Sequence, residues 1–170
     1  MKKNQLLMAL FCALFVAFIV QSCNKDDNDD DDDDMTEVME FVADDETFAN
    51  WDSWTLVATE SGPAPDLGEA HAGNDSTVTR NIYFLDDEEA ENGEYPVGTA
   101  IFKHTKSETG SIEENFLGMV KRGNDFNTSN NDWEWFKLNA DGSIIERGAN
   151  IGMCGNCHAS ANATDYVFSK

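Results

Sequence analysis

Apolar and polar positions divide the chain into three regimes. Leu6 to Val20 is an apolar run behind Lys2 and Lys3. Asn24 to Asp34 holds only Asn, Lys and Asp. From Met35 onward, short apolar groups alternate with turn-forming residues, the pattern of a domain built from several short elements.

Within that domain Val38, Phe41 and Val42 fall at helical spacing, and Phe48, Trp51 and Trp54 continue an aromatic series. They predict one or two short helices, with Asp44 or Asp45 capping the second. The aromatics read as core. Ser61 to Asn74 is a loop rich in Gly and Pro, with His71 exposed in it. Thr77 to Phe84 is a strand by its β-branched and aromatic content, with Val78, Arg80, Ile82 and Phe84 on one face. The acids of 86–91 suit a helix N-terminus, and Asn92-Gly93 would stop it. Four further strands are expected at 99–105, 116–121, 132–138 and 143–146, the last two joined by a hairpin turn at 139–142. Alternation groups Thr99, Ile101 and Lys103 opposite Ala100, Phe102 and His104, and Trp133 with Trp135 opposite Phe136 and Leu138. A short helix is expected after Cys157. The fold class is α+β, a mainly antiparallel sheet with a few short helices.

The first two regimes concern export. A charged start, an apolar run of about fifteen residues and the Val20-Gln21-Ser22-Cys23 ending read as a lipoprotein signal peptide, because a bilayer span needs ~20 residues. The organisation is then a signal peptide over 1–22, a lipidated Cys23 with an acidic spacer over 23–34, and one domain over 35–170. The spacer cannot bury apolar surface and stays extended. Its Lys25-Asp26-Asp27 resembles the surface-export signal of some Gram-negative lipoproteins, so both faces of the outer membrane stay open. The protein is expected outside the cytoplasm, at the membrane through its lipid alone. Formal charge is −22, of which −5 precedes Met35, leaving −17 for the domain. That excludes nucleic acid and anionic lipid as partners and would steer a basic redox partner.

The chemistry lies near the C-terminus, in Cys154-Gly155-Asn156-Cys157-His158. Cys-x-x-Cys-His is the attachment signature of c-type haem: two thiols add to the haem vinyl groups, and the adjacent histidine becomes the proximal iron ligand. A zinc site would need a second Cys/His pair, and His71 and His104 stand singly. A haem-free domain with a Cys154–Cys157 disulfide is the remaining alternative, although the surrounding glycines do not suit a thioredoxin-like setting. Cys12 leaves with the signal peptide and Cys23 carries lipid, so no thiol is left over. Given haem, His71 has a second reading as a mobile sixth ligand. Arg80, a charge among apolar neighbours, either snorkels from an edge strand or meets a haem propionate or the distal cavity.

The ordered set of motifs resembles the cytochrome P-460 family, which includes the β-sheet cytochromes c-prime. The similarity runs from about residue 48 to 168: Trp51-Asp-Ser-Trp54, Arg80-Asn-Ile-Tyr83, Gly98-Thr99-Ala-Ile-Phe-Lys103, Met119-Val-Lys121, Asp132-Trp133-Glu-Trp-Phe136, and the haem motif followed by Ala161, Thr164 and Asp165-Tyr-Val-Phe168. The resemblance implies a five-coordinate haem with an open distal side and, in the enzymes, a strand lysine bonded to the haem ring during oxidation of hydroxylamine to nitrogen oxides. Lys103 matches that lysine; without the resemblance it reads as a surface residue. It also implies a small nitrogen species as ligand or substrate, an electron-transfer partner and a homodimer. The chain departs at one point. The distal glutamate of the enzymes falls at Leu117 or Gly118, depending on register, which favours binding of a neutral gas such as nitric oxide over proton-releasing oxidation.

Overall fold

The computed structural model of the chain describes residues 39–67, 70–86 and 89–168. The expected signal peptide over 1–22, the expected lipidation site Cys23, the spacer to 34 and Val38 lie outside the described residues. Six strands form one antiparallel sheet in chain order: β1 (Thr55–Ser61), β2 (Val78–Phe84), β3 (Ala100–Ser107), β4 (Asn115–Lys121), β5 (Trp133–Leu138) and β6 (Ile144–Gly148). The five expected strands match β2 to β6, each with ends within two residues. Two short α-helices flank the sheet, α1 (Asp45–Phe48) and α2 (Cys154–His158).

Three expectations need correction. β1 is not among the expected strands; it is an edge strand whose Leu56 is 51% exposed, so it lacks the in-out alternation that marks a half-buried strand. The helix expected around Phe41 and Val42 is extended chain. Phe41 donates its N–H to the Arg122 carbonyl at 2.8 Å, and Glu40 bridges Gly123. Helix here is confined to the aromatic series, as α1 at Asp45–Phe48 and a 3-10 turn at Trp51–Ser53, and Asp44 caps α1 by accepting the Glu46 and Thr47 N–H groups. The described acids of 86–91 form no helix: Glu91 bridges Glu94 in a turn around Gly93, at φ 88. Repulsion among clustered carboxylates opposes a helix that has no apolar face to bury.

Strand register sorts the core onto the two sheet faces. Tyr83, Phe102, Gly118 and Phe136 lie in one cross-strand row. This face is covered by the N-terminal segment, where Phe48 packs 5.1 Å from Phe136 and Trp51 stacks 4.4 Å from Phe102. On the opposite face Phe84, Ile101, Met119 and Trp135 form a row, and Ile82, Lys103 and Leu117 form the next. The C-terminal segment covers this second face through Ile151, Cys154 and Val167. Sheet alternation therefore delivers Lys103, Trp133 and Trp135 to the side that carries the Cys-x-x-Cys-His motif.

Candidate functional site

The motif forms α2 itself, and the short helix expected after Cys157 follows it as a 3-10 segment over Ala159–Thr164. Cys154 and Cys157 are free thiols, half-buried one helical turn apart. A Cβ on Gly155 between them would lie 2.8 Å from Asn130 Nδ2 and would displace that side chain from its bond to Asn127. His158 follows, its ring 4.6 Å from Trp135 and 5.1 Å from Phe168. Its Nδ1 is 2.6 Å from the Tyr166 carbonyl. A carbonyl only accepts, so Nδ1 carries the proton and Nε2 keeps a free lone pair. Burial lowers the basicity of His158; the Tyr166 bond opposes this and the Lys103 charge adds to it.

The Tyr166 carbonyl is held in place by Asp165. Asp165 and Tyr166 both occupy left-handed backbone (φ 48 and 66), which folds the chain end back over α2. The buried Asp165 carboxylate accepts from Lys121 Nζ (2.8 and 2.9 Å), the Tyr95 N–H (2.8 Å) and Asn131 Nδ2 (2.7 Å). Trp133 Nε1 donates to the Asp165 carbonyl at 2.8 Å.

Cys154, Cys157 and His158 border a cavity of about 370 Å³. Its sheet wall is largely apolar, with Ile82, Ile101, Leu117 and Met119, and Lys103 projects from the same wall. Desolvation draws the Lys103 ammonium down to about 8; Arg80 adds to that and Glu60 opposes it. Glu60, on β1, is an exposed carboxylate at the cavity rim, with Asp66 beside it. Neither was anticipated, because the strand that presents Glu60 was not.

His71 is not an exposed loop residue. It is partly buried, lines the cavity and lies 6.3 Å from His158, ring centre to ring centre. Desolvation first, then the charges of Lys103, His158 and Arg80, push it down to about 3, so its imidazole is neutral. Arg80 does not snorkel: it is fully buried, because β1 makes β2 an interior strand. It does not line the cavity either. Its guanidinium donates to the carbonyls of His71 (2.7 Å), Ala72 (2.6 Å) and Gly62 (2.9 Å). His104 is on the other face, paired with Glu114 at 2.9 Å.

The residues present fit a haem. Two thiols and an imidazole stand on one turn of helix, against an apolar wall. Among the described residues, Trp135 Nε1 and His71 Nδ1 are buried without a hydrogen-bond partner, as expected beside a site that a polar-edged group completes. A family model described as Cytochrome P460 matches residues 50–169. The chain belongs to the cytochrome P460 family. It is therefore a c-type haem protein, and its matched region contains β1 to β6 and α2 entire. Neither the curated proteins nor the solved structures contain a match to the chain.

Proposed function

We propose that this cytochrome P460 carries haem c on Cys154 and Cys157 with His158 as proximal ligand, and performs redox chemistry on hydroxylamine or nitric oxide. In this reading it works outside the cytoplasm, lipid-anchored through Cys23 at the outer membrane, as a homodimer that passes electrons to a basic carrier protein. The observation that carries it is the convergence of α2 and Lys103 on one cavity. Bound haem supplies a redox-active iron with an axial position for a small ligand. The chain's own residues set the conditions around it. The Tyr166 carbonyl fixes the His158 tautomer and raises its strength as a ligand. Lys103, drawn down to about 8, is uncharged in about a tenth of molecules near neutral pH, and in that form presents a nucleophilic amine to the haem site. Glu60 is placed at the rim to take protons released from an oxidised substrate.

The apolar wall around Leu117 favours a second reading, a carrier, sensor or scavenger of neutral gas. One set of measurements separates them. Denatured protein from a host with c-haem maturation keeps its haem stain, and Cys154→Ala with Cys157→Ala loses it; an unstained wild type removes both readings. Lys103→Ala shifts the absorption spectrum and abolishes hydroxylamine oxidation with an artificial acceptor if the enzyme reading holds. An ordinary c-haem spectrum, unchanged by Lys103→Ala and without turnover, leaves the gas binder.

A further inference from the structure

Of the three histidines, only His71 and His158 border the cavity, and the position of His71 is actively maintained. Their ring centres are 6.3 Å apart, with ring planes at 81°. Two imidazoles that bind one metal from opposite sides, at metal–nitrogen distances of ~2.0–2.1 Å, have ring centres about 6 Å apart. The backbone under His71 is in the left-handed region (φ 53), as is that of Ala72 (φ 54), a conformation that residues with a Cβ rarely adopt. Arg80 holds this kink by bonding both carbonyls and that of Gly62 where the loop leaves β1. Burying a full charge to bind three loop carbonyls is costly, and such strain persists only where the surroundings over-determine it. What the clamp secures is an imidazole facing the cavity across from the proximal histidine.

We propose that His71 is the second axial ligand of the haem iron, so that the resting protein is six-coordinate and an incoming small molecule must displace it. The proposal rests on the haem reading above and changes its distal side from open to covered. It also assigns Arg80 as a positioning residue, acting through the His71 and Ala72 carbonyls. The two axial ligands differ in how firmly they are held. His158 is fixed at its ring by the Tyr166 carbonyl, whereas His71 is held only at its backbone, its ring Nδ1 having no hydrogen-bond partner, so the ring can turn off the iron while the loop stays clamped. The affinity for nitric oxide is then reduced by the fraction of time that the iron is uncovered.

The test uses ferric holoprotein, wild type and His71→Ala, by electronic absorption and electron paramagnetic resonance, with haem content stained on the same samples after denaturation. The expected wild type is low-spin. His71→Ala is high-spin at equal haem content, returns to low-spin when imidazole is added, and binds nitric oxide about tenfold faster or more. If His71→Ala fails to fold, His71→Met serves: a low-spin spectrum changed by the new sulfur ligand supports the proposal, and an unchanged one overturns it. A high-spin wild type overturns it while leaving the haem reading intact. So does a low-spin state that survives His71→Ala, which Lys103→Ala would trace to the amine instead. A wild type without haem removes the haem reading and this proposal together.

Discussion

Asp165 gathers four donors onto one carboxylate, from Tyr95, Lys121, Asn131 and Trp133, and is only 2% exposed. Removing it strands a buried ammonium, a backbone N–H and the Asn131 amide at once, while Trp133 keeps the Asp165 carbonyl. Losing one partner of a buried ion pair costs ~3–5 kcal/mol. Asp165→Ala is therefore expected to lower the holoprotein melting temperature by about 10 °C or more. Lys121→Met should cost clearly less, because Asp165 keeps three other donors and the methionine fills the space beneath Trp133. Equal losses in the two variants would show that the ion pair, and not the wider network, holds the chain end. In the sequence Asp165 stood out only as part of a family resemblance, since its partners are 30 or more residues away. Arg80 was half legible: alternation put it among apolar side chains, but its three acceptors are carbonyls, which no residue-type pattern reveals.

Elements were legible where burial alternates and illegible where it does not. β2 shows strict alternation of buried and half-buried positions, and its faces were read correctly. β1 has no fully buried residue, so its strand character comes from pairing with β2 alone. That one omission hid Glu60 and made β2 look like an edge. Strand register puts Leu117 and Gly118 on opposite faces of the sheet. Leu117 lies directly opposite Lys103 on the cavity face, whereas Gly118 faces Phe48, where a Cβ would approach ring carbons at 2.9–3.0 Å. Gly118→Ala is expected to destabilise by ~1–3 kcal/mol through overpacking, measured by denaturant unfolding. Leu117→Glu, on a half-buried cavity wall beside an ammonium, should fold and should raise hydroxylamine oxidation by supplying a positioned base, at most by ~10²–10⁴-fold. A stable Gly118→Ala together with an unfolded Leu117→Glu would show that the register is shifted by one residue.

At the scale of the whole molecule, the sheet is a partition. Its N-terminal side is an aromatic core centred on Phe48 and Phe102, and its other side is the chamber closed by α2 and the chain end. The domain carries −17 from Met35 onward, and exposed Glu60 and Asp66 bring that sign to the cavity rim. A field of this kind acts on any charged reactant that approaches the haem, independently of specific docking contacts. Its reach is the Debye length, roughly 30 Å at 0.01 M salt and 8 Å at 0.15 M. Electron transfer from the reduced holoprotein should therefore respond to salt with opposite signs for two small acceptors. A cationic cobalt complex is expected to react fastest at low salt and to slow by about tenfold or more toward 0.15 M. Anionic ferricyanide should start slow and accelerate over the same range, as repulsion is screened. Stopped-flow oxidation of one protein sample with each acceptor reads both slopes directly. If the two acceptors respond to salt in the same direction, the acidity does not reach the electron-exit surface. The charge would then serve solubility alone, and a basic carrier would have no steering advantage.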